Sequence, residues 1–74
     1  MAVQTNEDVA AKVRGVAAER RESQAALAPV IGASRMAMSR RFKGETPFTP
    51  EELIKLAAHM QTTVSVFFGE RAAA

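Results

Sequence analysis

Hydrophobic residues recur every three or four positions along most of the chain, which is the spacing of amphipathic α-helices. The first predicted helix begins after Thr5 or Asn6, either of which can cap it, and extends to about Arg21. Glu7 and Asp8 lie in its first turn, where negative charge is favourable to the helix dipole. The residues of its buried stripe are Val9, Val13, Val16 and Ala17.

The second predicted helix spans 24–31 and follows Ser23, whose hydroxyl suits an N-cap. Pro29 lies near its end and removes one backbone hydrogen bond, so we expect a kink or a tightened last turn there. The turn Gly32-Ala33 then separates this helix from the next one. Two short helices joined by a turn that contains glycine indicate a helix-turn-helix.

The third predicted helix occupies the stretch 34–43 and is basic on its outer side. Ser34 is a suitable N-cap, and Gly44 suits the left-handed conformation that often follows a helix end. Met38 and Phe42 are four residues apart, so they share one face and can be buried. The basic face is then left to protrude, as a helix entering a DNA major groove requires.

The fourth helix has the most complete start signals in the chain. Thr49 and Glu52 have the spacing of a capping box, with Pro50 at the first helical position. Phe48 and Leu53 are spaced as a hydrophobic staple. Its buried positions, before a helix end near Gln61, are Leu53, Leu56, Ala57 and Met60.

The last predicted element is a turn or two of helix that follows Thr63 as its cap and stops at Gly69. Phe67 and Phe68 are adjacent, so their side chains diverge by about 100° around a helix axis. We expect Phe67 to join Val64 in the core and Phe68 to remain near the surface.

Taken together, the pattern predicts an all-α fold of five helices without strands. It also predicts a single domain over 1–74, with an ordered core at about 6–68 and short flexible termini at 1–4 and 71–74.

The composition excludes several classes of function. The 74 residues contain no cysteine, no tyrosine and one histidine, His59, which is interpreted as an exposed helix residue. No metal site, cofactor, small-molecule ligand or catalytic constellation is therefore expected, and the chain is predicted not to be an enzyme. No apolar run approaches the roughly 20 residues of a membrane span, and the N-terminus does not resemble a signal peptide. A cytoplasmic location is expected.

The basic charge is concentrated in one segment. The formal net charge is only +2, but 32–44 carries four basic residues and no acid, so the rest of the chain sums to −2. Such a local basic surface favours contact with nucleic acid. Arg20 and Arg21, at the end of the first helix, are interpreted as a solvated helix face, with contact to the DNA backbone as the alternative.

Several short motifs follow one another in a joint spacing from the second helix to the fourth. They are Gln24, Leu27-Ala28, Gly32-Ala33-Ser34, Ser39-Arg40-Arg41-Phe42-Lys43-Gly44, Phe48-Thr49-Pro50-Glu51-Glu52-Leu53 and Leu56-Ala57. Over about 9–68 the sequence resembles the phage-repressor class (XRE-type) of helix-turn-helix proteins, typified by lambda repressor and Cro. The pattern Ser-Arg-Arg-x-x-Gly followed by Pro-Phe-Thr is similar to repressors of actinobacteria and their phages.

The resemblance implies a compact lambda-repressor-like domain of five helices that reads DNA with the helix at 34–43. Three departures from the family pattern are Pro29, Arg41 in place of a more apolar residue, and Gln61-Thr62 in place of glycine plus an aliphatic residue. The implied contacts to bases involve Arg35, Met36 and Arg40. The implied contacts to the DNA backbone involve Gln24, Ser34, Ser39, Arg41 and Lys43.

Side-chain chemistry supports separate roles for these residues. Arg35 can bond O6 and N7 of a guanine. The simpler alternative is that its side chain is only a solvated surface charge without a DNA contact. Met36 has no good hydrogen-bonding group and would rest against a thymine methyl. Arg40 can reach a base edge or a phosphate. The positive charge of Lys43 near the helix C-terminus is favourable to the helix dipole whatever the residue's function, and the side chain can also contact a phosphate.

The sequence thus predicts a sequence-specific regulator that binds double-stranded DNA, a small Cro-like phage or bacterial repressor. One reading helix covers half of a palindromic operator, so a weak homodimer completed on DNA is expected, with Val66 and Phe68 at its interface. The alternative is a protein-interaction module on the same fold, such as an antitoxin, antirepressor or host-factor inhibitor.

Overall fold

Four α-helices and two 3-10 helices follow one another along residues 5–69, which are the residues that the computed structural model describes. No strand occurs among these residues, so the fold is all-α as predicted. The predicted flexible ends, 1–4 and 71–74, lie outside this range. The α-helices are α1 (Asn6–Glu19), α2 (Gln24–Leu27), α3 (Arg35–Lys43) and α4 (Pro50–His59), and the 3-10 helices are Ala28–Ile31 and Val64–Phe68.

The four α-helices begin at the capping residues that the sequence indicates. Thr5, Ser23, Ser34 and Thr49 each accept a backbone N–H from the residue three positions later, at 3.0–3.1 Å. In α4 the carboxylate of Glu52 also accepts the Thr49 N–H at 3.0 Å, which completes the predicted capping box. Thr63 precedes the last 3-10 helix, but its hydroxyl contacts Ser65 Oγ at 3.0 Å instead of capping the backbone.

The second predicted helix changes at Pro29 from an α-helix to a tighter 3-10 helix. α2 ends at Leu27, and Ala28–Ile31 continues as a 3-10 helix. Proline has no N–H to donate to the Ala25 carbonyl, so the α-helical bonding cannot continue at this point. Because the last element is also a 3-10 helix, the predicted five helices become four α-helices and two 3-10 helices within residues 5–69.

Two of the helix ends use a left-handed residue that is not glycine. Arg21 follows α1 and Gln61 follows α4, each with φ 57°. After α4, the N–H groups of Gln61 and Thr62 donate to Ala58 and Ala57 at 3.3 and 2.9 Å, the Schellman pattern. Gln61 therefore takes the conformation that glycine usually provides after a helix end, at a cost of about 1–2 kcal/mol for its Cβ.

One hydrophobic cluster joins all the helical elements. Met38 is fully buried, whereas Phe42, expected to be its equal partner, is only partly buried and packs against the edge of the cluster. Phe67 is buried and Phe68 is 40% exposed, as predicted from their adjacency. The buried members are Val13, Val16, Ala17, Leu27, Ala28, Ile31, Met38, Phe48, Leu53, Leu56, Ala57, Met60 and Phe67.

The packing of the helices holds α3 from one side. α3 lies against α1 and α2, while α4 lies against both 3-10 helices and α1 also contacts the second of them. Phe48 and Leu53, the predicted staple, are both in the core at the start of α4. No helix within 5–69 has the length and apolar character needed to cross a membrane.

Candidate nucleic-acid interface

α3 presents one face to the protein and the other to solvent. At about 100° per residue, five of the six predicted contact residues of this helix fall within an arc of about 140°, and the sixth, Arg41, lies outside it. Met38 lies well outside this arc and is buried in the core, whereas Phe42 lies just beyond the Arg35 edge of the arc and is only partly buried. The residues of the outer face are Arg35, Met36, Ser39, Arg40 and Lys43; all are exposed except Ser39, which is partly buried.

Ser34 and Gly44 fix the two ends of this helix. The Ser34 hydroxyl accepts the Ala37 N–H at 3.1 Å, which satisfies one of the free donors of the first turn. Gly44 has φ 83°, and its N–H and that of Glu45 donate to the carbonyls of Arg41 and Arg40. A Cβ at Gly44 would lie 2.8 Å from Cα of Glu7, so glycine also permits the close approach of α1.

Met36 and Arg40 form a pair on the outer face. Met36 is 67% exposed, the largest value among the exposed large hydrophobic residues. One helical turn later, Arg40 donates from Nη2 to the Met36 Sδ at 3.8 Å. An apolar side chain and a guanidinium thus stand side by side, one suited to a methyl group and the other to an acceptor on a base edge or phosphate.

Arg35 and Lys43 stand at opposite ends of the outer face. Both are exposed, and within residues 5–69 neither is paired with an acidic side chain. Their charges are therefore available to a partner that brings negative charge. Lys43 in the last turn also interacts favourably with the helix dipole.

Arg41 lies on the protein side of α3, and it is less exposed than Arg40 and Lys43. Its Nε donates to Glu52 Oε1 at 3.0 Å, and its Nη1 donates to the Ala37 carbonyl at 3.3 Å. The side chains of this ion pair are only 18% and 15% exposed. A DNA-backbone contact by Arg41, predicted from the sequence, would require its guanidinium to leave Glu52.

Arg14 of α1 and Arg20, the residue that follows α1, contact the ends of other helices, which sequence reasoning missed. Arg14 donates from Nη1 to the Phe42 carbonyl at the end of α3. Arg20 donates from Nε to the Met60 carbonyl at 2.8 Å and from Nη2 to that of Gln61 at 3.5 Å. These carbonyls have no partner within their own helices. Arg20 is therefore not simply part of a solvated face, and no local sequence signal marks contacts that span 28 and 40 residues.

Gln24 and Ser34 are the two predicted DNA-backbone contacts at the starts of α2 and α3. Gln24 is the first residue of α2, partly buried, and α2 packs directly on α3. Ser34 is exposed at the start of α3. With α2 packed on α3, the side chain of Ser34 is exposed and that of Gln24 is partly exposed, and both are polar groups of the kind that contact phosphates.

The remaining candidate surface lies away from α3. Phe68 is 40% exposed and Val66 is partly buried, so the predicted dimer contact is accessible at Phe68. Ile54 of α4, which sequence reasoning did not single out, is 58% exposed.

His59 is exposed as expected, and its Nε2 lies 3.0 Å from Glu22 Oε2. No group of residues within 5–69 has the composition of a metal site.

Comparisons with known proteins give no match for this chain, either to a protein-family model or to a curated protein sequence.

Proposed function

We propose that this chain is a sequence-specific regulator that binds double-stranded DNA, a small Cro-like repressor of phage or bacterial origin acting in the cytoplasm. In this proposal α2, the 3-10 helix Ala28–Ile31 and α3 act as a helix-turn-helix of the lambda-repressor type. The outer face of α3 enters the major groove, and the core side of α3 stays on the protein.

The observation that carries the proposal is that the basic residues fall into two groups. One group is bonded within the protein, and the other is exposed on the outer face of α3. Arg14, Arg20 and Arg41 are engaged by carbonyls or by Glu52. By contrast, Arg35, Arg40 and Lys43 protrude from one side of a single short helix, with no acid paired to them within residues 5–69. Arg14 and Arg41 bond α3 to the rest of the protein, and the three available charges on its outer face support binding to a polyanion such as DNA.

In the proposed complex, Arg35 reads a guanine and Met36 packs on a thymine methyl. Arg40, held beside Met36, reaches the adjacent base edge. Gln24, Ser34, Ser39 and Lys43 contact phosphates and set the register of the helix in the groove. Arg41 acts as a positioning residue through Glu52.

Two copies would read a palindrome with reading helices about 34 Å apart. The exposed fraction of Phe68 supports a small interface with the neighbouring Val66, so the dimer is expected to be weak in solution and completed on DNA.

Selection of binding sites from a random duplex pool with the purified chain tests the proposal. We expect an enriched palindromic motif, and affinity for it should fall steeply as salt rises. Lys55→Ala is a matched control, because it removes an exposed positive charge from α4, where Lys55 pairs with Glu51 at 3.4 Å. This variant should enrich the same motif with similar affinity.

Failure to enrich any motif, together with salt-insensitive binding, would refute the DNA-binding proposal. That result would favour the alternative of a protein-interaction module, in which the same basic face meets an acidic protein partner.

A further inference from the structure

The three methionines within residues 5–69 differ sharply in exposure. Met38 is 0% exposed and Met60 is 2% exposed, so both sulfurs are shielded by the core. Met36 is 67% exposed and lies on the outer face of α3. Its Sδ contacts a charged donor, Arg40 Nη2, at 3.8 Å. The fold therefore presents one thioether to solvent on the face that carries the proposed reading residues.

We propose that Met36 is a modification site for hydroperoxides, and that oxidation of its sulfur releases the chain from DNA. The second part rests on the proposed function. The site is the Met36 thioether together with the guanidinium of Arg40.

The reaction is a two-electron oxygen transfer. A lone pair of the Met36 sulfur attacks the terminal oxygen of hydrogen peroxide, an S–O bond forms and the O–O bond breaks. The departing hydroxide takes up the proton from the transferred oxygen and leaves as water. The sulfur is oxidised to the sulfoxide, and the peroxide is reduced. Methionine sulfoxide is returned to the thioether by reductases, so the change is reversible.

Oxidation would alter both residues of the pair. The sulfoxide is polar, so it no longer suits a thymine methyl. Its oxygen is a strong acceptor attached to an atom that Arg40 already contacts. Arg40 would donate to this oxygen and be drawn from the base edge or phosphate. One added oxygen would thereby remove the contact of Met36 with the thymine methyl and draw the guanidinium of Arg40 away from the DNA.

The first experiment maps oxidation in the full chain treated with hydrogen peroxide, using peptide mass spectrometry. Met36 should gain one oxygen well before Met38 and Met60 do, and this difference should vanish when the chain is unfolded in guanidinium. Equal rates for the three residues in the folded chain would overturn the assignment of the site.

The second experiment measures affinity for the selected duplex before and after peroxide treatment. Wild type should lose about tenfold in affinity, the scale of one base contact, and a sulfoxide reductase should restore it. Met36→Leu keeps an apolar side chain without an oxidisable sulfur, so its affinity should survive treatment. An equal loss in Met36→Leu would show that oxidation acts elsewhere.

Arg40→Ala tests the coupling within the pair. If the sulfoxide acts partly by capturing Arg40, oxidation should weaken binding less in Arg40→Ala than in wild type. Equal losses would refute the capture of Arg40.

If the reduced wild-type chain binds no duplex, the proposed function fails, and the proposed control of DNA binding fails with it. The oxidation map decides the modification site independently of that result.

Discussion

Arg41 of α3 and Glu52 of α4 are joined by an ion pair of 3.0 Å between Nε and Oε1, with both side chains largely buried. The same Oε1 atom accepts the Thr49 N–H at 3.0 Å. A single carboxylate oxygen therefore closes the capping box of α4 and fixes the last turns of α3. The start of one helix and the orientation of the other depend on one residue.

Glu52 should consequently matter more to stability than an ordinary capping residue. We expect Glu52→Ala to lower the free energy of unfolding by about 2 kcal/mol, because it removes both the cap and the partner of a largely buried arginine. Glu52→Gln retains an acceptor for Thr49 and should lose about half as much. Urea unfolding of both variants measures the difference. Additive losses in Glu52→Gln and Arg41→Met, combined in one chain, would show that the ion pair carries no coupling energy.

The anchors of α3 should be unequal. Met38 is fully buried, so Met38→Ala should cost about 2–5 kcal/mol, close to the whole stability of a small domain. Phe42 is only partly buried at the edge of the core, so Phe42→Ala should cost less, about 2 kcal/mol. Thermal unfolding of the two variants tests the order. A lower melting temperature for Phe42→Ala than for Met38→Ala would contradict this packing.

Two glycines should respond to alanine in opposite directions. Gly15 lies within α1, and a methyl group added there would meet nothing within 4 Å, so Gly15→Ala should stabilise by about 1 kcal/mol. Gly44 has φ 83° and its Cβ would meet the backbone of Glu7 at 2.8 Å. Gly44→Ala should therefore destabilise by at least about 1–2 kcal/mol. Denaturant midpoints of the pair check both signs, and stabilisation by Gly44→Ala would disprove the close approach of α1.

Local signals account for most of what was predictable about the fold. Caps such as Ser34 and Thr49 act within three residues, so their bonds can be inferred from spacing alone. Pro29 likewise changes its own turn, for which the sequence predicts a kink or a tightened last turn, and the second of these is found. The contacts of Arg14 and Arg20 join segments far apart in the chain, and no periodicity encodes them.

The positions of the candidate residues on α3 follow from local signals in the same way. Helical spacing alone assigns Arg35, Met36 and Arg40 to one face of α3. The sequence pattern also grouped Arg41 with them as a basic residue, because its pairing with Glu52 depends on how α4 packs. Ile54 lies outside the predicted buried stripe of α4, and it was not singled out because a single exposed aliphatic residue carries no functional signal in the sequence.

Assembly should depend on Phe68 and not on Ile54. Phe68→Lys should leave the fold intact and abolish cooperative binding to a palindrome, while binding to a half-site survives. Ile54→Lys is the matched control, because Ile54 is another exposed apolar residue, 58% against 40% for Phe68. Gel-shift titrations on full and half sites measure the effect. Retained cooperativity in Phe68→Lys would move the interface elsewhere, and equal loss on both sites would indicate a core role.

The most direct test of the central claim, that the outer face of α3 reads DNA sequence, compares motif selection by Arg35→Ala and Lys43→Ala. Arg35→Ala should cost roughly 1–3 kcal/mol on the preferred site and relax the preference at one base position per half-site. Lys43→Ala should enrich the wild-type motif, weaken all sequences about equally, and lower the salt slope by roughly one unit for each phosphate that is no longer neutralised. Enrichment of the full wild-type motif by Arg35→Ala would contradict the account.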